Sequence, residues 1–300
     1  MLDTLVSLAD LWIGRRATPQ PGAMADVASL QPCVVVTGAS QGIGFALASH
    51  FANSGRPVAM VARSRDALDR AAASLRHGRG PAILVVPLDV TDTDAPARLD
   101  AALREAGFYA DILINNAGMG LSGSFSTDDA DRLTTLITLN ITAATRLMRH
   151  ALPAMIRRGR GGILNVSSLG GLVPGPHQAA YYASKAYLIS LTEAVAYEER
   201  GRGVRIATVA PGPVNTGFHR AMQAENALYR RVVPALSTQA VAASAYRGFM
   251  LGRRVIVPGF LPWAAALAVK ILPHALTVPL VSLLLAPAPE TDAVPGGEAR

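Results

Sequence analysis

The sequence predicts an α/β chain built on a doubly wound, seven-stranded parallel sheet with helices on both faces, followed by a hydrophobic C-terminal extension. Three observations predict it. Short apolar runs alternate with longer segments of helical period from Cys33 onward. A glycine-rich turn follows the first of those runs directly. Half of the 300 residues are hydrophobic, enough for one large core rather than several small ones.

The strands are expected at 33–36, 58–62, 83–86, 112–114, 163–166, 204–209 and 255–257. Between the first two, a helix over 43–53 shares one face among Ile43, Leu47 and Phe51, and Gly55 supplies its stop. Ser64 is placed to cap the next helix, with Asp66 in its first turn. Long periodic segments over about 129–158 and 181–200 predict two helices able to pack side by side. The domain boundaries read as an N-terminal extension at 1–30, the sheet domain at 31–260, the apolar extension at 261–285 and a disordered tail at 286–300.

Composition excludes several classes of function. The single cysteine, Cys33, lies in an apolar run, so neither a disulfide framework nor a cysteine-based metal site is expected, and no metal site of any kind. The formal charge is +7, but the arginines are scattered and form no tract, which argues against nucleic-acid binding. The N-terminus lacks a basic flank and Asp3 and Asp10 interrupt it, so no secretory signal is expected and the chain is assigned to the cytoplasm. Leu2, Leu5, Val6, Ala9, Trp12 and Ile13 follow helical spacing ahead of Pro19-Gln20-Pro21-Gly22, which suggests a short amphipathic helix; translation from Met24 is the alternative.

The turn after the first strand reads Thr37-Gly38-Ala39-Ser40-Gln41-Gly42-Ile43-Gly44 and runs straight into a helix. Glycines there let backbone approach a pyrophosphate, and the free N–H groups of the helix start favour its charge. An NAD site places an acid at the end of the second strand; here Arg63 stands there, suited to a 2′-phosphate, so the expected cofactor is NADP(H). A solvated strand-end arginine is the bland alternative.

Tyr181 and Lys185 are four residues apart on a predicted helix and so share a face. An ammonium beside a phenol favours the phenolate and lowers the phenol pKa. Ser168 stands at the end of the fifth strand, where open α/β sheets bind ligands. Tyr182 has no lysine one turn onward and is out of register.

Over about 33–259 the chain resembles the short-chain dehydrogenase/reductase family in its single-domain branch. The resemblance is carried by the 37–44 loop, Leu88-Asp89-Val90, Asn115-Asn116-Ala117-Gly118, Asn140 in a long helix, Asn165-Val166-Ser167-Ser168, the Tyr181/Lys185 pair and Pro211-Gly212-Pro213-Val214-Asn215-Thr216. It implies a Rossmann fold in which Tyr181 donates a proton, Ser168 bonds the substrate oxygen, Lys185 binds the nicotinamide ribose and depresses the tyrosine pKa, and Asn140 holds a water. It further implies that Gly38, Ser40, Gln41, Gly42, Ile43 and Gly44 hold the phosphates, and that Asp89 and Val90 border the adenine. Asn115, Ala117, Gly118, Pro211, Gly212, Val214 and Thr216 would line the rest of the cofactor, although Asn115 has an equally good structural role between strands. Gln41 departs from the basic residue many NADP-using members carry, which leaves Arg63 as the main phosphate ligand.

The implied activity is NADPH-dependent reduction of a ketone or aldehyde by a homodimer or homotetramer joined through the two long helices. Its alternatives are alcohol oxidation with NADP and a non-catalytic NADP-binding sensor. The 217–237 insertion, with Phe218, His219, Met222, Leu228 and Tyr229, suits an apolar lid, and His219 is more simply a loop residue. Residues 261–285 are apolar but are broken by Pro262, Pro273 and Pro279 and charged at Lys270, so they are expected to pack on the body or a partner or to touch a membrane surface, and not to span it. The extension shifts the expected substrate toward a hydrophobic or lipid-like carbonyl.

Overall fold

The computed structural model describes residues 18–76, 80–218, 222, 227–229 and 233–286. The expected N-terminal helix, His219 and the tail from residue 287 onward lie outside them. Strands β1 (Gln31–Thr37), β2 (Val58–Ala62), β3 (Ile83–Pro87), β4 (Phe108–Asn115), β5 (Gly161–Val166), β6 (Val204–Val209) and β7 (Val255–Ile256) form one sheet in the order β3-β2-β1-β4-β5-β6-β7. Every neighbouring pair is parallel. The chain reverses its direction of winding between β1 and β4, and the crevice above that switch point is where such sheets take their ligands.

Alternate residues of each strand feed two separate cores. Val34, Val36, Val58, Met60, Ile112 and Ile114 pack on one face. Cys33, Val35, Ala59, Val61 and Leu113 pack on the other. Because both faces are covered, the strands read as unbroken apolar runs. Helices α1 (Gly42–Asn53) and α2 (Arg65–Ala73) contribute Leu47, Phe51 and Leu68 to the first core. Helix α3 (Ala95–Glu105) contributes Leu99 and Leu103 to the second. Ser64 caps α2 as expected, accepting from the Ala67 amide at 3.3 Å.

The long helix expected over 129–158 is continuous but not uniform. Asp129 caps α4 (Ala130–Ile137), a π turn follows at Thr138–Ala143, and the chain resumes as α5 (Ala144–Arg158), ended by Gly159 in the left-handed region. Helix α6 (Ala179–Glu198) lies beside it, joined by a Thr145–Tyr187 hydroxyl contact of 3.1 Å. Helix α7 (Thr238–Met250) covers the far side of the sheet with the buried Phe249.

The extension forms two helices, α8 (Phe260–Ile271) and α9 (His274–Leu285). Only one of its three prolines breaks it. Pro273 separates the helices, whereas Pro262 falls in the first turn of α8, where no intrahelical N–H bond is lost, and Pro279 is accommodated within α9. Among the described residues, no helix is long and apolar enough to cross a membrane.

Candidate active site

The glycine loop is shaped by left-handed backbone and, at Gly38 and Gly44, by neighbours too close for a side chain. Gly38 and Gly42 have φ of +63° and +61°, in the left-handed region. A Cβ on Gly44 would stand 2.3 Å from both the Gly38 carbonyl oxygen and Asn116 Nδ2. Asn116 braces the loop by donating to the carbonyls of Thr37 (2.8 Å) and Gly38 (3.2 Å). Thr37 Oγ1 accepts from the amides of Asn116 and Ala117 at 2.9 and 3.0 Å, which locks β1 to the end of β4. Neither brace was expected from the sequence; the doubled Asn115-Asn116 after a strand was the available signal.

Helix α1 opens at this loop with no acid in its first turn and with Gln41 at the N-cap making no side-chain bond to the helix. Its first N–H groups and positive end therefore remain available to an anion. A cradle of glycine backbone with no carboxylate fits a dinucleotide pyrophosphate. Ser40 and Gln41 stand at its rim, while Ile43 packs down against the core. Arg63 is exposed at the end of β2, and its charge is felt by Asp89. Burial alone would raise the Asp89 carboxyl, but bonds from the Thr91 amide (2.9 Å) and hydroxyl (2.7 Å), with Arg63, hold it below its ordinary value. Val90 is turned into the core and offers only backbone.

The far wall comes from β4 and β6. The space above Gly118 is bounded by Asn140 Oδ1 and Lys185 Nζ, 3.2 and 3.4 Å from where its Cβ would be. The Pro211 carbonyl accepts from the Leu169 amide (2.8 Å), Val214 pairs with Leu236, and Thr216 Cγ2 lies 3.6 Å from the Cβ position of Gly42. Gly212 faces Pro262 of α8, at 3.2 Å by the same measure. Asn115 is different. Its side chain turns inward and donates to Asn165 Oδ1 (2.9 Å) and to the Ala144 carbonyl (3.2 Å), so of the two roles open to it the structure supports the one between strands. Asn165 continues that chain of bonds to Thr192 at 2.8 Å.

Four polar side chains converge at the carboxyl end of β5. Ser168 leaves the strand and accepts from the Gly170 amide at 3.1 Å, and its hydroxyl also hydrogen-bonds the Tyr181 phenol. Lys185, one turn along α6, is 5% exposed, donates to the Val166 carbonyl at 3.0 Å and has its Nζ 5.7 Å from the Tyr181 ring centre. Asn140 sits in the π turn with its side chain fully engaged: Oδ1 accepts from the Met119 amide (2.9 Å), and Nδ2 donates to the Met119 carbonyl (2.8 Å) and to Ser184 (3.0 Å). Insertion of a π turn at a functional position is a recurrent way to re-aim such a group.

The electrostatics differ from the expectation that Lys185 depresses the phenol. Burial pushes Tyr181 up to about 12, only partly opposed by the Ser168 hydrogen bond. Burial also lowers Lys185 to about 8. Desolvation dominates at Lys185 because it is buried with its ammonium directed to the Val166 carbonyl, while Tyr181 is half-buried. The Tyr182 ring fills the space above Gly170 and Gly175, where any Cβ would come within 2.8 and 2.3 Å of it. On the open side, the Phe218 ring lies 5.6 Å from that of Tyr181, and Met222 packs on Gly120.

Comparison with known proteins agrees with this arrangement. Residues 32–227 match the short chain dehydrogenase family model. Ketoacyl reductase HetN from Nostoc is 36% identical over 182 residues, covering 61% of the chain and 63% of its own length, which is under two thirds. Galactitol 2-dehydrogenase (L-tagatose-forming) from Cereibacter sphaeroides is 40% identical over 187 residues, 61% of the chain and 72% of that protein. A short-chain dehydrogenase from Sphingobium yanoikuyae, solved in complex with NADPH, superposes with a TM-score of 0.71 at 32% identity, covering 80% of the chain and 93% of that protein. The bulky-bulky ketone specific alcohol dehydrogenase from Comamonas testosteroni gives 0.66 at 29% identity, over 82% and 96% of the two chains. A glycine cradle at the sheet's switch point, a Ser-Tyr-Lys cluster at the end of β5 and a family match over more than half of the chain have one reading: the protein belongs to the short-chain dehydrogenase/reductase family.

Proposed function

We propose that this enzyme reduces a hydrophobic ketone or aldehyde with NADPH, and that Tyr181 supplies the proton. The carrying observation is the placement of the Tyr181 phenol beside Ser168 at the carboxyl end of β5, with the buried Lys185 ammonium 5.7 Å from its ring centre. NADPH, when bound, supplies the hydride. The 38–44 loop binds its phosphates, and Arg63 takes the 2′-phosphate. Ser168 and Tyr181 donate to the carbonyl oxygen, where negative charge grows, and the Tyr181 proton ends on that oxygen. Lys185 gives positive charge beneath them, and Asn140, through Met119 and Ser184, positions the wall and the helix that carry this cluster. Asn140 and Lys185 are thus the supports of the proton path.

The Phe218 and Met222 side chains make the substrate side apolar. The ketone specificity named for the Comamonas relative supports a bulky carbonyl here as well. We further propose that two copies pair through the α4–α5 and α6 faces, where Ile137 and Tyr187 are exposed. The test is NADPH consumption with a panel of aldehydes, cyclic ketones, quinones and acyl thioesters, followed by its near-ultraviolet absorbance. Reduction of an apolar carbonyl faster than oxidation of the matching alcohol is expected. NADPH binding without turnover of any compound would make the protein a sensor and overturn the proposal.

A further inference from the structure

Beyond β7 the protein turns its apolar side chains outward. Helix α8 is anchored through Pro262 and Ala266, leaving Phe260, Trp263, Leu267 and Ile271 exposed at helical spacing. Helix α9 buries Thr277 and directs Ser282 toward His177 (3.5 Å), while Leu276, Leu280 and Leu283 form its exposed stripe. Helix α9 also buries Leu285 at its end, but a helix with three leucines exposed on one stripe while Thr277 and Ser282 face the protein is unusual for a surface helix in water. Scattered exposed leucines need no explanation, but two consecutive stripes do.

Charge identifies what covers them. Residues 226–289 contain no Asp or Glu, yet they carry Arg230, Arg231, Arg247, Arg253, Arg254 and Lys270. Arg247, Arg253 and Lys270 border a groove of about 570 Å³ whose apolar wall includes Leu251, Trp263 and Leu267. None of the three is in an ion pair among the described residues. A second copy docking isologously on this face would bring like charges together with no acid to offset them. A bilayer with anionic headgroups meets both requirements, since leucines enter the acyl boundary while arginine and lysine pair with phosphates. Phe260 and Trp263, stacked at 6.0 Å between ring centres, are the residue types that favour that boundary. We infer that α8 and α9 are an in-plane anchor that docks this enzyme on an anionic phospholipid surface.

The experiment is co-sedimentation of the full-length protein with phosphatidylcholine vesicles, with and without phosphatidylglycerol. It is read alongside Trp263 emission in a Trp12→Phe background, where Trp263 is the single tryptophan. Binding is expected to need phosphatidylglycerol, to weaken with salt and to shift Trp263 emission to the blue. Leu276→Ser with Leu280→Ser should weaken it more than about tenfold, and Arg253→Glu or Lys270→Glu by at least about fivefold each. NADPH affinity and melting temperature serve as the check that these variants fold. The anchor is refuted if the protein stays in the supernatant with both vesicle types, or if folded variants sediment like the parent. It is equally refuted if the leucine variant converts a dimer to a monomer on sizing, which would assign the face to a second copy. Vesicle binding is read without turnover, so its failure leaves the proposed reaction standing, and the converse holds.

Discussion

The two ends of the crevice are built on opposite rules. Around β1 and β4, Gly38 and Gly44 of the glycine loop are hemmed in by backbone and the Asn116 amide, and the bracing side chains, Thr37 and Asn116, bond only to main chain. Around α8 and α9, few side chains are buried and the large apolar ones face outward. The first region is intolerant because a cofactor of fixed shape must be met by backbone. The second is held to the body by a few contacts, among them the Leu228 amide to the Ala286 carbonyl at 3.3 Å, and is free to present a surface.

Four substitutions probe that contrast. Tyr181→Phe removes the proton donor and should lower kcat by about 10²–10⁴-fold while NADPH still binds, as single-turnover and titration measurements would show. An unchanged kcat would move the chemistry away from the tightly built end altogether. Gly44→Ala forces a methyl group against the Gly38 carbonyl and Asn116, so a loss of about 1–3 kcal/mol in denaturant unfolding is expected, together with failure to bind NADPH. Arg63→Ala leaves the backbone cradle intact; it should raise the KM for NADPH about tenfold, with little change for NADH, and equal effects on both would remove the 2′-phosphate assignment. At the other end, Leu280→Ser should change unfolding free energy by no more than about 0.5 kcal/mol, since the side chain is 57% exposed. A larger loss there would mean that α9 is a packed element and that the two regions are less different than they appear in structure.

The same contrast explains what could be read beforehand. The sheet was legible because strands buried on both faces become apolar runs, and the runs at 58–62 and 204–209 coincide with β2 and β6. Strand ends were less so: β4 begins at Phe108, four residues before its first uninterrupted apolar stretch, because Asp111 is held inside the fold by Arg160 at 3.0 and 3.2 Å and breaks the pattern. The candidate cluster of Ser168, Tyr181 and Lys185 was legible from a strand end and one helical turn taken together with the family's other motifs in register. The direction in which Asn115 points was not, because it depends on Asn165, fifty residues away. Nor was the buried state of the phenol, which is a property of the assembled walls. Pro279 misled for a related reason. A proline marks a break only when the chain has nowhere to shed the lost bond, and α9 continues through it.

The π turn at Thr138–Ala143 has a consequence for how this protein can vary. Each residue of a regular helix advances by about 100°, so deleting one position between Asn140 and Leu147 would swing either Asn140 off Met119 or the Leu147, Met148 and Met155 face out of its core. The count of residues between those two anchors is therefore as restrictive as their identity, and a single-residue deletion there should be more damaging than many substitutions.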